Sequence, residues 1–515
     1  MRVLTAAMIV LSTVFLAINV EYRFESSELI VDVNGEGPYV VFLNGASYTT
    51  DGELKLPWSK GKVGVLRIVS ERTGESTELV VEAVHDNPPK IDLEIPRVLG
   101  LGTWNFGINV VDDWDSATTV SVSFEIDSGD EIRGREVVLD TFFMGDGTHT
   151  ISVTAEDSFG NESSVVEYFE VDTVPPDPPD FEFRSPDLVI FPGKPDVLVM
   201  NLESGRSEYL RGVDVIKRDT AMMIGGIDEA GNVSRMVFIK PVPGTLVPVS
   251  TRGPITSIME DTLLLGNGSF YTVLGKTILP ENRTLVLGSG VGLVISPTGE
   301  LLVKGLFMNM SSDVKILGGG SLVLGEGARV FLDGIDMRSH VKVVGGRVIY
   351  LNDVRGFDRL EISNVDNLIL ENVELDSLSV EGVQNFFLYD ATLSKLSVRG
   401  TRNFEARDVD VGVLELSEFS RADFRNVKAD SFALDVLSRI DCISCRMGPV
   451  MISKGSRARF RESDLLSVES KDFSSVELFE TRVEGKIEII RSELVYSECE
   501  FVGEVSESGG MIRER

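Results

Sequence analysis

Between about Asn364 and Glu498 the apolar positions of the chain recur every 18 residues. Stepping from Leu368 gives Phe386, Phe404, Ala422, Ile440, Ala458, Val476 and Leu494. Stepping from Leu370 gives Leu388, Ala406, Phe424, Cys442, Phe460, Leu478 and Tyr496, and from Leu375 it gives Leu393, Val411, Ala429, Met447, Leu465, Val483 and Phe501. These columns hold only apolar residues in a chain that is 43% hydrophobic, which chance does not produce. A fixed period of this size means stacked coils, none able to bury its inner face alone. Alternation along each short strand turns the columns inward. A column from Leu378 holds through Val468 and then slips, with Lys486 in register and Ile487 as its substitute. Another column is polar (Asn372, Asp390, Asp408, Asn426, Ser444, Glu462, Glu480, Glu498) and marks a corner whose side chains cap tight turns through local backbone hydrogen bonds, the glutamates swinging into solvent. The pattern predicts a parallel β-helix over 263–503, with roughly 13 coils at about 4.8 Å each. A Pro-rich linker and cap (243–262) precede it, and a charged tail (504–515) closes its far end.

The first half alternates with period two between turn signals. Ile151–Ser164 carries Asp157-Ser158-Phe159-Gly160-Asn161 between two alternating strands, and Val171-Asp172-Thr173-Val174-Pro175-Pro176 follows. The plan returns at Asp228-Glu229-Ala230-Gly231-Asn232, and a degenerate copy has Gly74 at its turn and Asp86-Asn87-Pro88-Pro89 at its end. Aspartate closes such a turn by bonding the backbone ahead of it, and glycine takes the left-handed position. The Pro-Pro pairs end strands and stiffen linkers. These hairpins resemble the last hairpin of bacterial immunoglobulin-like domains. The resemblance implies three sandwiches, at 21–90, 91–176 and 177–242, of a kind that serves as spacers or adhesive modules on bacterial surfaces. Leu279–Leu287 and Val294–Gly305 resemble the entry coils of right-handed parallel β-helices of the pectin-lyase-like group, which implies right-handed coils. The fold class expected is therefore all-β, with tandem sandwiches followed by a parallel β-helix.

Met1-Arg2 followed by the apolar Val3–Val20 reads as an export signal over 1–20, or as an uncleaved anchor that would be the chain's sole attachment to a membrane. The expected place is outside the cytoplasm: cell envelope, periplasm or cell surface. The net charge of -32 argues against nucleic-acid binding. One glutamine, three cysteines and abundant Glu and Arg are a thermophile's composition. Cys442-Ile-Ser-Cys445 has redox or metal spacing, but the repeat sets Cys442, Cys445 and Cys499 in core columns, where cysteine acts as a small hydrophobe.

Register also exposes the outward positions of the first strand of each coil. An asparagine ladder (Asn367, Asn385, Asn403) gives way to arginines: Arg407, Arg421, Arg425, Arg439, Arg457, Arg459 and Arg461. From Arg399 to Arg461 there are 12 basic and 9 acidic residues, a local excess of positive charge on an acidic chain. Three readings follow. The stripe is a groove in which arginines fork onto the carboxylates of an acidic polysaccharide, with Phe387 and Tyr389 as a stacking platform. Or it is an ion-pair lattice neutralised by Asp423 and Asp441, or a docking face for an envelope protein. Asp112, Asp113 and Asp115 are candidate Ca²⁺ ligands, with a solvated acidic loop as the alternative, and no other cofactor is expected.

An enzyme is the competing class. Glu405, Asp423 and Asp441 stack at about 4.8 Å, near the separation of a retaining glycosidase pair. The motifs of polygalacturonases are absent, however, and flanking arginines are expected to keep each carboxylate ionised. The reading is a non-catalytic envelope or surface scaffold or adhesion protein presenting its β-helix, with a polysaccharide lyase or glycoside hydrolase as the alternative.

Overall fold

The computed structural model describes residues 18–514, apart from 26–27, 35–36, 59–62, 83–86, 113–114, 116–118, 159, 251–252 and 267. Residues 1–17, most of the segment expected to direct export, lie outside the described residues. Among those described, every regular element is a β-strand except the 3-10 turn Thr141–Phe143, and no helix is long and apolar enough to cross a membrane. The chain divides into two compact units, Met1–Thr173 and Val174–Arg515.

The first unit holds two sandwiches. In the first, a three-stranded sheet faces a four-stranded one over a core that includes Leu29, Val31, Tyr39, Val41, Leu66 and Ile68. The second packs Phe124, Leu139, Ile151, Val153 and Phe169. Its hairpin Gly147–Glu156/Glu162–Val171 pairs antiparallel without a break. The turn is built as the sequence implies: Asn161 N–H donates to Asp157 Oδ1 at 2.8 Å, and Gly160 sits at φ 84°. Asn232 N–H donates to Asp228 Oδ1 in the same way, with Gly231 at φ 86°.

The second unit begins with the third sandwich. Its sheets are Glu182–Ser185, Leu188–Ile190, Val215–Lys217 and Arg206–Leu210, Val197–Asn201, Met222–Gly226, Val237–Ile239. Parallel coils follow. In one ladder, fourteen successive parallel pairings join Val247–Val249 to Met511–Glu514. Two more ladders complete a three-sided coil. The inward columns form one continuous core, each fully covered Leu, Ile or Phe contributing about 1.5–3 kcal/mol.

Four details differ from the sequence-based expectation. First, the solenoid is longer: Val247–Val249 and Gly253–Pro254 already pair with later coils, and Val505–Ser508 and Met511–Glu514 form part of another coil instead of closing the end as a separate tail. Short strands and Pro248 hid the start; alternation was lost among charges at the end. Second, early coils are longer, Met308 lying opposite Phe331 and Phe331 opposite Tyr350 before the 18-residue step begins. Third, the polar corner is set by backbone conformation. All eight residues from Asn372 to Glu498 adopt φ between 46° and 57°, and the N–H groups of Asn372, Ser444, Glu462 and Glu480 reach the next coil's carbonyls, those of Tyr389, Arg461, Phe479 and Ser497. Asparagine and aspartate tolerate that region better than other side chains. Fourth, Cys442 and Cys445 are not separate core hydrophobes but a disulfide across the Ser444 corner. Cys442 fills its column, and the corner brings Cys445, also buried, back onto it. The predicted slip is present: Val468 pairs with Ile487, while Lys486 bonds Glu488 at the surface.

Candidate functional site: the outward face of the first ladder

The central outward column of the first ladder reads Val286, Met308, Phe331, Tyr350, Ile369, Phe387, Glu405, Asp423, Asp441, Arg459, Glu477. It is apolar for six coils and charged afterwards. The third sandwich explains the change. Its four-stranded sheet is apolar on both faces: Val197, Ile224 and Ile239 point into its own core, and Leu198, Met200, Met223 and Phe238 pack on the solenoid column. Phe238 stacks on Tyr350 with ring centroids 4.0 Å apart. Polar contacts edge this seam. Arg235 pairs with Glu371 and Asp390, Lys240 with Asp333 at 3.0 Å, and Arg329 with Glu203 at 3.4 Å.

Phe387 and Tyr389 lie inside this seam, 7% and 1% exposed. They offer no face to a ligand while the sandwich is docked. Burial, then Glu405, pushes the Tyr389 phenol well above its ordinary value, and its hydroxyl donates to Glu405 at 3.1 Å. Glu405 is also ion-paired with Arg407, whose Nε lies 2.7 Å away, and Arg407 Nη2 donates to Val233 O of the sandwich at 3.4 Å. The asparagine ladder is continuous: Asn403 donates to Asn385 and Asn385 to Asn367, each at 2.9 Å. Asn367 donates to Leu202 O, tying the ladder to the sandwich.

Beyond the seam the arginines come together over successive coils. Arg421, Arg439 and Arg457 stand opposite one another in one row. Arg439 donates to Asp441 at 3.1 Å; Arg459 lies 3.3 Å from Glu477 and 3.8 Å from Asp441; Arg457 pairs with Glu477. Arg461, 1% exposed, bonds Glu462 at 3.0 Å and lies over the Phe479 ring. Burial, then Arg407, lowers the pKa of Arg425. Arg421 makes no ion pair among the described residues and is open to water. The face is thus largely an ion-pair lattice with an arginine excess.

Asp423 behaves differently from what its arginine neighbours suggest. Its carboxyl is open to water, yet the protein crowded around it, and then Asp441, raises its pKa above the ordinary value; Arg421 opposes this only in part. Counting neighbouring charges does not reveal that crowding.

Two of the three candidate aspartates of the second sandwich are described, and their oxygens accept from the loop around them. Asp115 is buried and its oxygens accept from the Thr119 hydroxyl at 3.0 Å and Ser158 N–H at 2.8 Å, while Asp112 accepts from Asp115 N–H. Asp113 lies outside the described residues. Among the described residues no His, Cys, Asp and Glu group is arranged to hold a metal ion.

No family model matches the sequence, and no curated protein does. The pectin-lyase-like resemblance therefore has no family match behind it. Solved structures overlap poorly. Three N-terminal domains of the bacteriophage RB49 highly immunogenic outer capsid protein align at 10% identity over 44% of this chain and 96% of that one, TM-score 0.23. A structure concerning host cell surface retention of a 1.5-MDa bacterial ice-binding adhesin aligns at 15% over 43% and 96%, TM-score 0.19. An ICAM-5 D1-D4 ectodomain fragment aligns at 12% over 43% and 76%, TM-score 0.18. Likeness at this level carries no argument, and the functional reading rests on the chain's own residues.

The sandwich seam escaped sequence reading although it leaves a signal. The outward register continues backward from Phe387 through Ile369, Tyr350 and Phe331, and a column of apolar residues on the outside of a coil needs a cover. Met222–Gly226 and Val197–Asn201 are near-continuous apolar runs, the pattern of strands buried on both faces.

Proposed function

We propose that the chain is a non-catalytic scaffold or adhesion protein of a bacterial cell envelope or surface, whose β-solenoid offers its arginine-rich face to an acidic polysaccharide. One observation carries this. Where the third sandwich ends, the outward column turns from covered apolar residues to charged ones, and beside it runs a row of arginines, Arg421, Arg439 and Arg457, on a chain of net charge -32. An extended polyanion along the rod meets Arg421, Arg439 and Arg457, one per coil, with guanidinium geometry suited to carboxylates. The buried Cys442–Cys445 disulfide supports an oxidising compartment, in keeping with the export-like start.

A hydrolytic or eliminating enzyme is the second reading, and Asp423 is what favours it, because a carboxyl held above its ordinary value beside a second carboxylate can deliver a proton. Incubating the protein with a panel of polyuronates separates the two. Saturable binding without new reducing ends or unsaturated products is the expected result. Product that disappears in Asp423→Asn would replace the scaffold by the enzyme.

A further inference from the structure

The corner that leads into the arginine row has an unusual composition. In four successive coils the chain turns there through two consecutive left-handed residues: Glu418-Phe419, Val436-Leu437, Lys454-Gly455 and Asp472-Phe473. Behind each turn a serine is buried. Ser420 N–H donates to Ser438 Oγ at 3.3 Å and Ser438 N–H to Ser456 Oγ at 3.2 Å, so the corner is pinned from inside. The second left-handed residue stands outside that ladder. Glycine occupies it once, as Gly455 at φ 73°; otherwise it is Phe419 at 63°, Leu437 at 54° and Phe473 at 62°. These three side chains are 68%, 56% and 80% exposed. Bulky residues are penalised in this region of backbone space, and exposed apolar side chains in a row mark a contact surface. The fold needs only what Gly455 supplies, so the side chains serve something else.

Their position says what. Phe419 precedes Arg421 by two residues, Leu437 precedes Arg439 and Gly455 precedes Arg457, while Phe473 precedes Ser475, one coil past the arginine row, and has the Arg491 guanidinium 6.0 Å from its ring centroid. The apolar row therefore borders the arginine row, and both run along the rod. The carboxylates nearest the corner are already neutralised, Glu418 by Arg399, Asp435 by Lys454 and Asp472 by Arg491. That leaves an apolar ridge beside an arginine row in which Arg421 makes no ion pair among the described residues, while Arg439 meets Asp441 and Arg457 meets Glu477.

Resting on the proposed acidic-polysaccharide reading, we infer that Phe419, Leu437 and Phe473 form the platform for the apolar faces of sugar rings whose carboxylates lie on Arg421, Arg439 and Arg457. The ridge is then a specificity device. It separates an acidic polysaccharide, which has C–H ring faces, from a polyanion that has carboxylates alone. It also takes the role that Phe387 and Tyr389, buried beneath the sandwich, do not fill.

The test compares polygalacturonate with polyglutamate as ligands for the full chain and for Phe419→Gly/Leu437→Gly/Phe473→Gly. Glycine suits the left-handed turn, so the variant is expected to melt no lower than the parent. The parent should bind polygalacturonate at least tenfold tighter than polyglutamate, and the variant should lose that preference while its polyglutamate affinity stays the same. A folded variant that keeps the preference overturns the inference and leaves the basic face standing. An equal loss for both ligands overturns it as well, because the ridge then does not discriminate. Failure of the parent to bind either polymer removes the binding face itself, and the ridge with it.

Discussion

Arg235 of the third sandwich lies over the ring of Tyr389 on the solenoid, its guanidinium 4.7 Å from the ring centroid, and pairs with Glu371 and Asp390 on either side. One side chain thus joins the sandwich to two successive coils. Arg235→Ala would leave the half-buried Glu371 and the exposed Asp390 without their cation, a loss of about 1 kcal/mol once solvent screening at Asp390 is allowed for. Urea unfolding of the second unit should shift to lower denaturant by that amount. An unchanged midpoint would mean the pairs contribute nothing net.

The seam around Arg235 is apolar, and its disruption should be visible without unfolding the coils. Phe238→Asp places a charge against Phe331 and Tyr350, at a cost of several kcal/mol. The variant should bind a hydrophobic dye and expose Phe331, Tyr350 and Phe387, while far-ultraviolet circular dichroism retains its β signal. Dye binding equal to the parent's would argue that the sandwich is not the cover of this column.

Thiol chemistry should count the cysteines as the fold does. Denatured without reductant, protein from an oxidising compartment should show one reactive thiol, Cys499, and after reduction three. Three thiols before reduction would contradict the Cys442–Cys445 bridge.

Asp423 should leave a pH signature with a definite sign. Its folded pKa is raised above the ordinary 3.8, so the folded chain holds this proton more tightly than the unfolded chain. Stability is therefore lost as pH rises from 3.8 through the folded value, and the loss persists at neutral pH. Asp423→Asn should melt with the parent in acid below the carboxylate range and above it at neutral pH. A gap that does not vary with pH would contradict the assignment.

The coils were legible because a solenoid repeats its demands. Each inward position from Leu368 to Leu494 meets the same need, and the sequence answers in register. The corner was legible as polar but not as left-handed, since a Glu at 462 or 480 carries no local mark of positive φ. The seam was hidden because the outward column was followed only from Asn367, where asparagines begin, and not back to Phe331. The disulfide follows the αL corner at Ser444, which brings two positions of a period-two strand onto the same side. The upward shift at Asp423 is hidden for a different reason: adjacent charges can be read from a sequence, whereas crowding by packed coils depends on the fold.

The central claim is that the arginine face beyond the sandwich binds an acidic polymer. Calorimetric titration of the full chain with polygalacturonate at low and high salt, beside Arg421→Glu/Arg457→Glu with a confirmed thermal midpoint, tests it most directly. The account predicts binding that weakens steeply with salt in the parent and falls at least tenfold in the folded variant. Binding that is indifferent to salt and equal in both proteins would contradict it.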